Sequence, residues 1–140
     1  MTGSGENVII SSEGENMIDI NEERKKILNG IYPSRVISGR QNKHIEGTKE
    51  FEQNRDKMQK IGSEPSILYA DAQMLVDKYK GTGTIYYKSS LYPRELVETN
   101  GIIGKSWVKK SNKYVETKKI EIFYSSTGTH IVPVNDLKKR

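Results

Sequence analysis

Two histidines are the residues of this chain best suited to acid–base chemistry near neutral pH. His44 and His130 lie far apart in the sequence, and each has polar neighbours. An imidazole changes its charge near neutrality, so either ring can take or give a proton. A lone histidine in a loop is nevertheless more often a surface or capping residue than a catalyst. The pair therefore predicts catalysis only where the fold brings both rings to one basic surface.

The first histidine belongs to a strongly polar segment, residues 39–48, with the sequence GRQNKHIEGT. Glycines bracket the segment, and so polar a stretch builds no core. We therefore predict a loop that leads into a helix capped by Thr48. Lys43, next to His44, is a candidate for a phosphate contact.

The second histidine belongs to residues 124–133, with the sequence YSSTGTHIVP, which predicts a β-hairpin. A two-residue turn at Thr127 and Gly128 would pair Ser125 with His130 and place their side chains on one face. Gly128 suits such a turn because it accepts a positive φ without a Cβ penalty. Ser125 is therefore predicted to be the neighbour of the second imidazole.

Alternation along these strands assigns the two faces of the sheet. Tyr124 and Ile131 would point to the same face as Ile122, which we expect to pack against the helices. Phe123 and Val132 would share the other, open face with the histidine–serine pair. A register error of one residue would exchange the two faces.

Two imidazoles and several ammonium groups on an open sheet face suit the cleavage of RNA without a metal ion. One side chain must take a proton from a 2′-hydroxyl, and another must give one to the departing 5′-oxygen. Cations or hydroxyl donors must hold the charge that builds on the phosphate. The candidates for these phosphate contacts are Lys43, Lys105, Ser125, Thr127 and Thr129. Tyr124 or Trp107 would stack a base if exposed.

Composition narrows the chemistry further. The chain has no cysteine, which excludes a disulfide framework, a thiol nucleophile and a cysteine-based metal site. Its acidic residues are scattered, so we predict no bound metal and no cofactor. A formal net charge of +5 favours an anionic partner. The lysine-rich stretch 105–119 also has a simpler interpretation as the solvated rim of a hairpin, and Trp107 as a core residue.

The elements that must position these residues change type along the chain. Caps and apolar periodicity predict three helices, at residues 21–30 with Asn21 as the cap, at 48–61 and at 71–80. Residues 31–40 are expected to form an extended connector. Alternation then predicts strands at 84–87, 95–99, 102–109, 114–125 and 129–134. Helices followed by strands predict an α+β domain with helices packed on one face of an antiparallel sheet.

A length of 140 residues predicts one domain with some tail. Residues 1–15 are rich in Gly, Ser, Glu and Asn and are interpreted as that tail, and the basic end 137–140 as a solubilising or phosphate-attracting terminus. The longest apolar runs are far shorter than a membrane span needs, and the start of the chain lacks the pattern of an export signal. We expect no membrane span.

Several short motifs together resemble a known family. They are the segment 39–48, Ser66-Ile67-Leu68, Arg94-Glu95, Ile103-Gly104, Glu116-Thr117, Phe123-Tyr124-Ser125 and Gly128-Thr129-His130-Ile131-Val132-Pro133. Their order and spacing resemble the polymorphic toxin type 50 domain, over residues from about 36 to 134. Such modules form the C-terminal tips of bacterial polymorphic toxins, and a similar one ends some phage head-morphogenesis (minor head) proteins.

The resemblance implies a fold similar to the barnase, EndoU, colicin ribonuclease and RelE group, with helices preceding a four-stranded antiparallel sheet. It implies a metal-independent ribonuclease domain at residues 36–140, joined to a linker or stalk with one short helix at residues 1–35. His44 and His130 would transfer protons, and Lys43 and Ser125 would contact the transition state. The predicted substrate-binding residues are Gln41, Lys105, Thr117, Tyr124, Thr127 and Thr129. Arg94 and Glu95 match a family pair whose role is catalytic or structural.

The same resemblance implies the biological setting. The substrate would be RNA in the bacterial cytoplasm, reached from a secreted toxin or a virion, and the module would be part of a larger phage or toxin polypeptide. An acidic immunity protein would be its natural partner, because opposite charge speeds the encounter with a basic cleft.

Two other functions remain open at this point. The chain could be a non-catalytic module of a phage structural protein that binds nucleic acid or a head component through its basic face. It could also be a small interaction domain whose loops meet a host protein. The relative position of the two histidines discriminates between these functions and the ribonuclease.

Overall fold

The computed structural model describes residues 8–10, 17–88 and 90–135 of the chain. Its helices are α1 (Ile20–Leu28), α2 (Ser38–Gln41), a 3₁₀ helix (Asn42–His44), α3 (Lys49–Gln59) and α4 (Ala72–Tyr79). The strands are β1 (Val8–Ile10), β2 (Met17–Asp19), β3 (Ile67–Leu68), β4 (Thr84–Tyr86), β5 (Arg94–Glu98), β6 (Gly104–Val108), β7 (Lys113–Thr117), β8 (Lys119–Tyr124) and β9 (Thr129–Val134). The α+β class predicted from the sequence is confirmed.

Side-chain caps fix where the three longer helices begin. The Thr48 side chain accepts from the Phe51 backbone N–H, and the Asp71 side chain caps α4 in the same way. These two helices are confirmed at the predicted places. The predicted cap of α1 was wrong, because Asp19 rather than Asn21 accepts the free N–H groups of the first turn.

The strands of the described residues form two larger antiparallel sheets, not one. The strand orders are β3-β6-β7 and β4-β5-β8-β9, and β1 pairs with β2. The predicted single strand 114–125 was wrong, because β7 ends at Thr117 and β8, which begins at Lys119, joins the other sheet. The Thr117 hydroxyl donates to the Val134 carbonyl and accepts from the Lys119 N–H, which holds the chain in a bend at Lys118.

One face of the four-stranded sheet carries the core. Ile122, Tyr124 and Ile131 are buried there, as the alternation predicted. They pack in one cluster with Ile27 of α1 and Val76 of α4. The helix predicted for the N-terminal stalk thus contributes to the same hydrophobic core as the sheet, which removes apolar surface of both from water.

The hairpin register differs from the predicted one by two residues. His130 pairs with Phe123 rather than with Ser125. The connection is a four-residue loop, closed by the Ser125 hydroxyl, which donates to the Gly128 carbonyl at 2.8 Å. A Cβ on Gly128 would come within 2.6 Å of the Arg35 carbonyl, so the connector packs against this loop and only glycine fits. A shift of two keeps every side chain on its face, which is why the face assignment is confirmed while the pairing was wrong.

Residues 34–37 of the predicted connector meet the first residue of β9, Thr129. Val36 forms a parallel bridge with Thr129, and the Ile37 N–H donates to the Thr129 carbonyl at 2.8 Å. This path brings the polar segment 39–48 next to the strand that carries His130. Within that segment the predicted loop is partly helical, since α2 and the 3₁₀ helix occupy residues 38–44.

The two ends of the chain are only partly described. Residues 8–10 of the predicted tail form β1, and the remainder of residues 1–15 lies outside the described residues, as does the basic end 137–140. In the part of the chain that the structure describes, no helix combines the length and apolar character needed to cross a membrane.

Candidate functional site

The loop that carries His44 is fixed to β9 by one buried side chain. The Gln41 amide donates to the Ile131 carbonyl at 2.9 Å and accepts from the Ile131 N–H at 2.8 Å. Thr48 closes the far end of the loop, because its hydroxyl contacts the carbonyls of Asn42 and Ile45. Gln41 thereby places the loop directly beside the residue that follows His130.

Ser66 orients the His44 ring. The His44 Nδ1 lies 3.0 Å from the Ser66 carbonyl oxygen and 3.1 Å from its hydroxyl. A carbonyl can only accept, so a hydrogen bond to it requires the proton on Nδ1 and leaves the lone pair of the neutral ring on Nε2. Ser66 thus fixes the orientation of the half-buried ring through its Nδ1.

His130 is held as a neutral ring. Burial, the charge of His44 and the cationic side chains of Arg40, Lys43 and Arg94 lower the pKa of His130 to about 4. Its Nδ1 is buried and has no hydrogen-bond partner among the described residues. A general base must be uncharged before it can accept a proton, and His130 meets this requirement. The nearby cations favour the binding of an anion.

The groups that act on His130 come from opposite sides of the site. Arg40, Lys43 and His44 belong to α2 and the 3₁₀ helix, whereas Arg94 belongs to β5. All of these groups lower the pKa of His130. Gln41 attaches the helical loop to Ile131, so the segment that carries Lys43 and His44 lies beside the strand of His130.

A row of three side chains crosses the open face. Arg94, Phe123 and His130 are neighbours in register on β5, β8 and β9. The Phe123 ring stacks on the His130 ring with centroids 4.7 Å apart and planes 10° apart. The Arg94 guanidinium lies 4.5 Å from the centroid of the same phenyl ring. Phe123 therefore separates a cation from an imidazole and supports both.

The carboxylate of Glu121 anchors this row. It lies 3.6 Å from the Arg94 guanidinium and accepts from the Tyr86 hydroxyl. Glu121 is only 1% exposed. The sequence analysis missed its role because it treated Glu121 as one of several scattered acidic residues. The alternation of the strand could have predicted this role, because Glu121 lies two residues before Phe123 and therefore on the same face of β8.

The pair Arg94 and Glu95 divides between the two faces of the sheet. Glu95 is buried in the core and accepts from the N–H groups of Gly81 and Gly83, at 2.9 and 2.6 Å. Its predecessor Arg94 points to the site. Arg40 was likewise missed as a site cation, although it lies in the quoted motif GRQNKH.

Part of the predicted site forms the hairpin loop instead. The Ser125 hydroxyl accepts from the N–H groups of Thr127 and Gly128, each at 3.2 Å. Thr127 is exposed in this loop, and Thr129 is fully buried with its hydroxyl 3.3 Å from the Ser34 carbonyl. The Ser125 hydroxyl thus holds the hairpin loop, and the Thr129 hydroxyl contacts the connector at Ser34.

Other predicted substrate contacts lie inside the protein or on the second sheet. Gln41 and Thr117 are buried and bonded to backbone groups. The Tyr124 hydroxyl donates to Glu95 at 2.6 Å, and burial raises its pKa. Lys105 lies on β6 over the Tyr114 ring, at 4.5 Å from its centroid. None of these side chains belongs to the cluster around His130.

The comparisons with known proteins agree with the motif pattern. The model of the family described as bacterial toxin 50 matches residues 36–133. The match includes both histidines, the Gln41 attachment and the whole four-stranded sheet except the last residue of β9. No curated protein matches the chain.

Proposed function

Because the chain belongs to the bacterial toxin 50 family, we propose that it is a toxin module that cleaves RNA by acid–base transesterification without a metal ion. The observation that supports the proposal is that Gln41 fixes the loop of His44 to the strand of His130. The His130 ring stacks there on Phe123, on which Arg94 also lies. Two proton-transfer groups and three permanent cations are the set that such a cleavage requires. The product would carry a 2′,3′-cyclic phosphate.

His130 is the base in this mechanism and His44 is the acid. His130 is neutral and half-buried, so it accepts the proton of the 2′-hydroxyl as the oxygen attacks phosphorus. The charge of His44 lowers the pKa of His130, which keeps His130 in the neutral form that a base needs. The acid role requires the charged form of His44, in which both ring nitrogens carry a proton. His44 then gives the Nε2 proton to the departing 5′-oxygen, while Ser66 holds its Nδ1.

The bound phosphate makes His130 a stronger base. The pKa of about 4 belongs to a ring in the field of four positive groups. A phosphate among those groups adds negative charge and so raises the pKa of His130 toward neutrality. The ring is thus activated only when substrate is present.

The three permanent cations hold the phosphate. Arg40 and Lys43 reach it from the helical loop, and Arg94 reaches it from the sheet. Guanidinium groups bind two phosphate oxygens at once, which fixes the geometry for attack. Glu121 holds the Arg94 guanidinium on the open face through one ion pair. The remaining N–H groups of the guanidinium would bind the phosphate.

We place the module in the setting that its family suggests. It would act on RNA in the bacterial cytoplasm as part of a larger toxin or phage polypeptide. An acidic immunity protein would cover the basic cluster around His130 and block it by charge complementarity.

The test is cleavage of RNA in EDTA by the purified chain and by His44→Ala and His130→Ala. We expect each variant to lose at least about 100-fold in rate, the usual contribution of one acid or base. Lys57→Ala, on the exposed side of α3, is the matched control and should cleave like the unchanged chain. Phosphorus NMR of the products should show a 2′,3′-cyclic phosphate.

Intact RNA after incubation with the folded, unchanged chain would contradict the proposal. If the same protein still retained RNA on a filter, the result would favour the non-catalytic binding module instead. Loss of cleavage in the Lys57→Ala control would also count against the assignment, because that lysine lies outside the cluster.

A further inference from the structure

We infer that the cavity beside His44 is the binding site for a nucleobase that flanks the cleaved phosphodiester. The inference rests on the proposed function, whose reaction centre it extends. The cavity has a volume of about 650 Å³. This lies within the ~300–1,000 Å³ range of small-molecule sites.

The cavity is continuous with the reaction centre. His44 contributes to its wall, as does Val132, which follows His130 by two residues on the same face of β9. A nucleotide whose phosphate lies between the two histidines would therefore have its base within reach of this cavity.

The walls have the composition that a base requires. Met58, Trp107 and Pro133 supply apolar surface, and Ser106 and Asn135 supply polar atoms. A base has two apolar faces and a polar edge, so it stacks on the first kind of surface and hydrogen-bonds to the second. The Asn135 amide donates to the Ser106 hydroxyl at 3.1 Å. The hydroxyl of Ser106 can in turn donate its own proton to a base.

The backbone of β6 is open on the side of the cavity. β3 pairs only with Gly104 and Lys105, and beyond them the described residues supply no strand partner on that edge. The edge of a strand presents N–H and C=O groups to whatever lies beside it. The stretch Ser106–Val108 lines the cavity at this place and can therefore read the polar edge of a base.

Trp107 adds an independent observation. Its Nε1 is buried and has no acceptor among the described residues. Buried donors are normally paired, so such a group calls for an explanation. Ring nitrogens and carbonyl oxygens of a base are acceptors of the right kind. The indole also meets Tyr114 edge-on, with centroids 5.1 Å apart, which fixes its orientation.

The test uses the intrinsic fluorescence of Trp107, the only tryptophan of the chain. The intact protein is titrated with the 3′- and 5′-monophosphates of adenosine, cytidine, guanosine and uridine, and separately with inorganic phosphate. We expect saturable quenching by at least one nucleotide and none by phosphate alone. The preferred base and the preferred phosphate position identify which flanking nucleotide the cavity binds.

A side chain that fills the cavity should weaken the quenching of Trp107 fluorescence by the nucleotide. Ser106→Leu places a larger side chain in the cavity, and we expect it to raise the Kd for the nucleotide at least tenfold. Val115→Leu, its cross-strand neighbour outside the cavity, is the matched control and should bind like the unchanged chain. Equal quenching by phosphate, no quenching by any nucleotide, or unchanged affinity in Ser106→Leu would overturn the inference.

The RNA cleavage assay separates this inference from the proposed function. Cleavage without any nucleotide quenching would remove the base site and leave the ribonuclease. Quenching that Ser106→Leu weakens, in a protein that leaves RNA intact, would support the nucleotide site and remove the reaction. The titration on the unchanged chain decides the first case even if a variant fails to fold.

Discussion

The two faces of the four-stranded sheet use the same chemical group for opposite purposes. Glu95 and Glu121 lie on neighbouring strands, in adjacent rows of the register, and are 0% and 1% exposed. Glu95 faces the core and accepts from two backbone N–H groups and the Tyr124 hydroxyl. Glu121 faces the site and holds the Arg94 guanidinium.

The difference shows what each buried charge does. The partners of Glu95 are neutral and belong to the chain around β4 and to β8, so its carboxylate ties the end of α4 to the sheet. Glu121 contacts Tyr86 and Arg94, and Arg94 is one of the cations that lower the pKa of His130. One acid thus supports the fold, and the other positions a cation for an anionic ligand. Separate losses of stability and of activity should distinguish them.

The largest effect is expected for Glu95→Gln. An amide cannot accept from all three donors, and it puts an N–H₂ group against backbone N–H groups in the core. We expect the free energy of unfolding to fall by about 3 kcal/mol. Urea denaturation followed by circular dichroism measures it. Cleavage of RNA per folded molecule should stay unchanged, and a loss of more than tenfold there would contradict the purely structural role.

The next effect is a loss of stability at acidic pH that is caused by His130, on the open face of the sheet. The pKa of His130 is about 4 in the folded chain, and about 6.5 in an unfolded one. The unfolded state therefore binds the proton first as the pH falls through this interval. Stability from this group is complete above pH ~6.5 and is lost progressively down to pH ~4, by at most about 3 kcal/mol.

The comparison with His130→Gln isolates that contribution. Urea denaturation of both proteins at several pH values should show the difference in stability narrowing or reversing in favour of the variant as the pH falls. A difference that does not change between pH ~7 and ~4 would mean that the ring is not held neutral by its surroundings.

A smaller change in stability and a clear change in activity are expected for Glu121→Gln. The amide still accepts from Tyr86 and Arg94 but no longer neutralises the guanidinium. We expect a cost of about 1 kcal/mol in stability and a decrease of at least about tenfold in kcat/KM for RNA. Steady-state kinetics on a fluorogenic oligonucleotide measures the second. A stability loss equal to that of Glu95→Gln, with full activity, would reverse the assignment of the two acids.

The smallest effect is a shift in titration for Arg94→Gln. Arg94 is one of the positive groups that lower the pKa of His130, and it follows burial, His44, Arg40 and Lys43 in size. Removing its charge should raise the pKa of His130 and leave the ring below its ordinary value. Proton NMR of the His130 ring across a pH series measures this. An unchanged or lowered pKa would place Arg94 outside the field of the site.

Sequence patterns predicted what depends on local rules. Thr48 and Asp71 correctly predicted where two helices begin, because each side chain accepts a hydrogen bond from an N–H group of the first helical turn. Alternation correctly separated Tyr124 from His130, because every second residue of a strand shares a face. The same rule cannot count loop residues, so the serine partner predicted for His130 was wrong and Phe123 was found instead.

The missed parts depend on contacts between distant segments. The bend at Lys118 is held by the hydrogen bond from the Thr117 hydroxyl to the Val134 carbonyl. The sequence around residue 117 does not predict that contact. The role of Glu121 likewise depends on which strand lies beside β8. A common site for His44 and His130 was predicted from their chemistry and from a family resemblance. The structure shows that the segment before His44 joins the first residue of β9 through the bridge of Val36 with Thr129.

The attachment of Gln41 to Ile131 has a further consequence. Both contacts are made to main-chain atoms, so the amide acts as an additional rung of the β-ladder supplied by a side chain. The side chain at position 131 can therefore change without releasing the loop, whereas a change at position 41 cannot be compensated there. The residues around His44 can therefore be exchanged on an unaltered strand as long as Gln41 is kept.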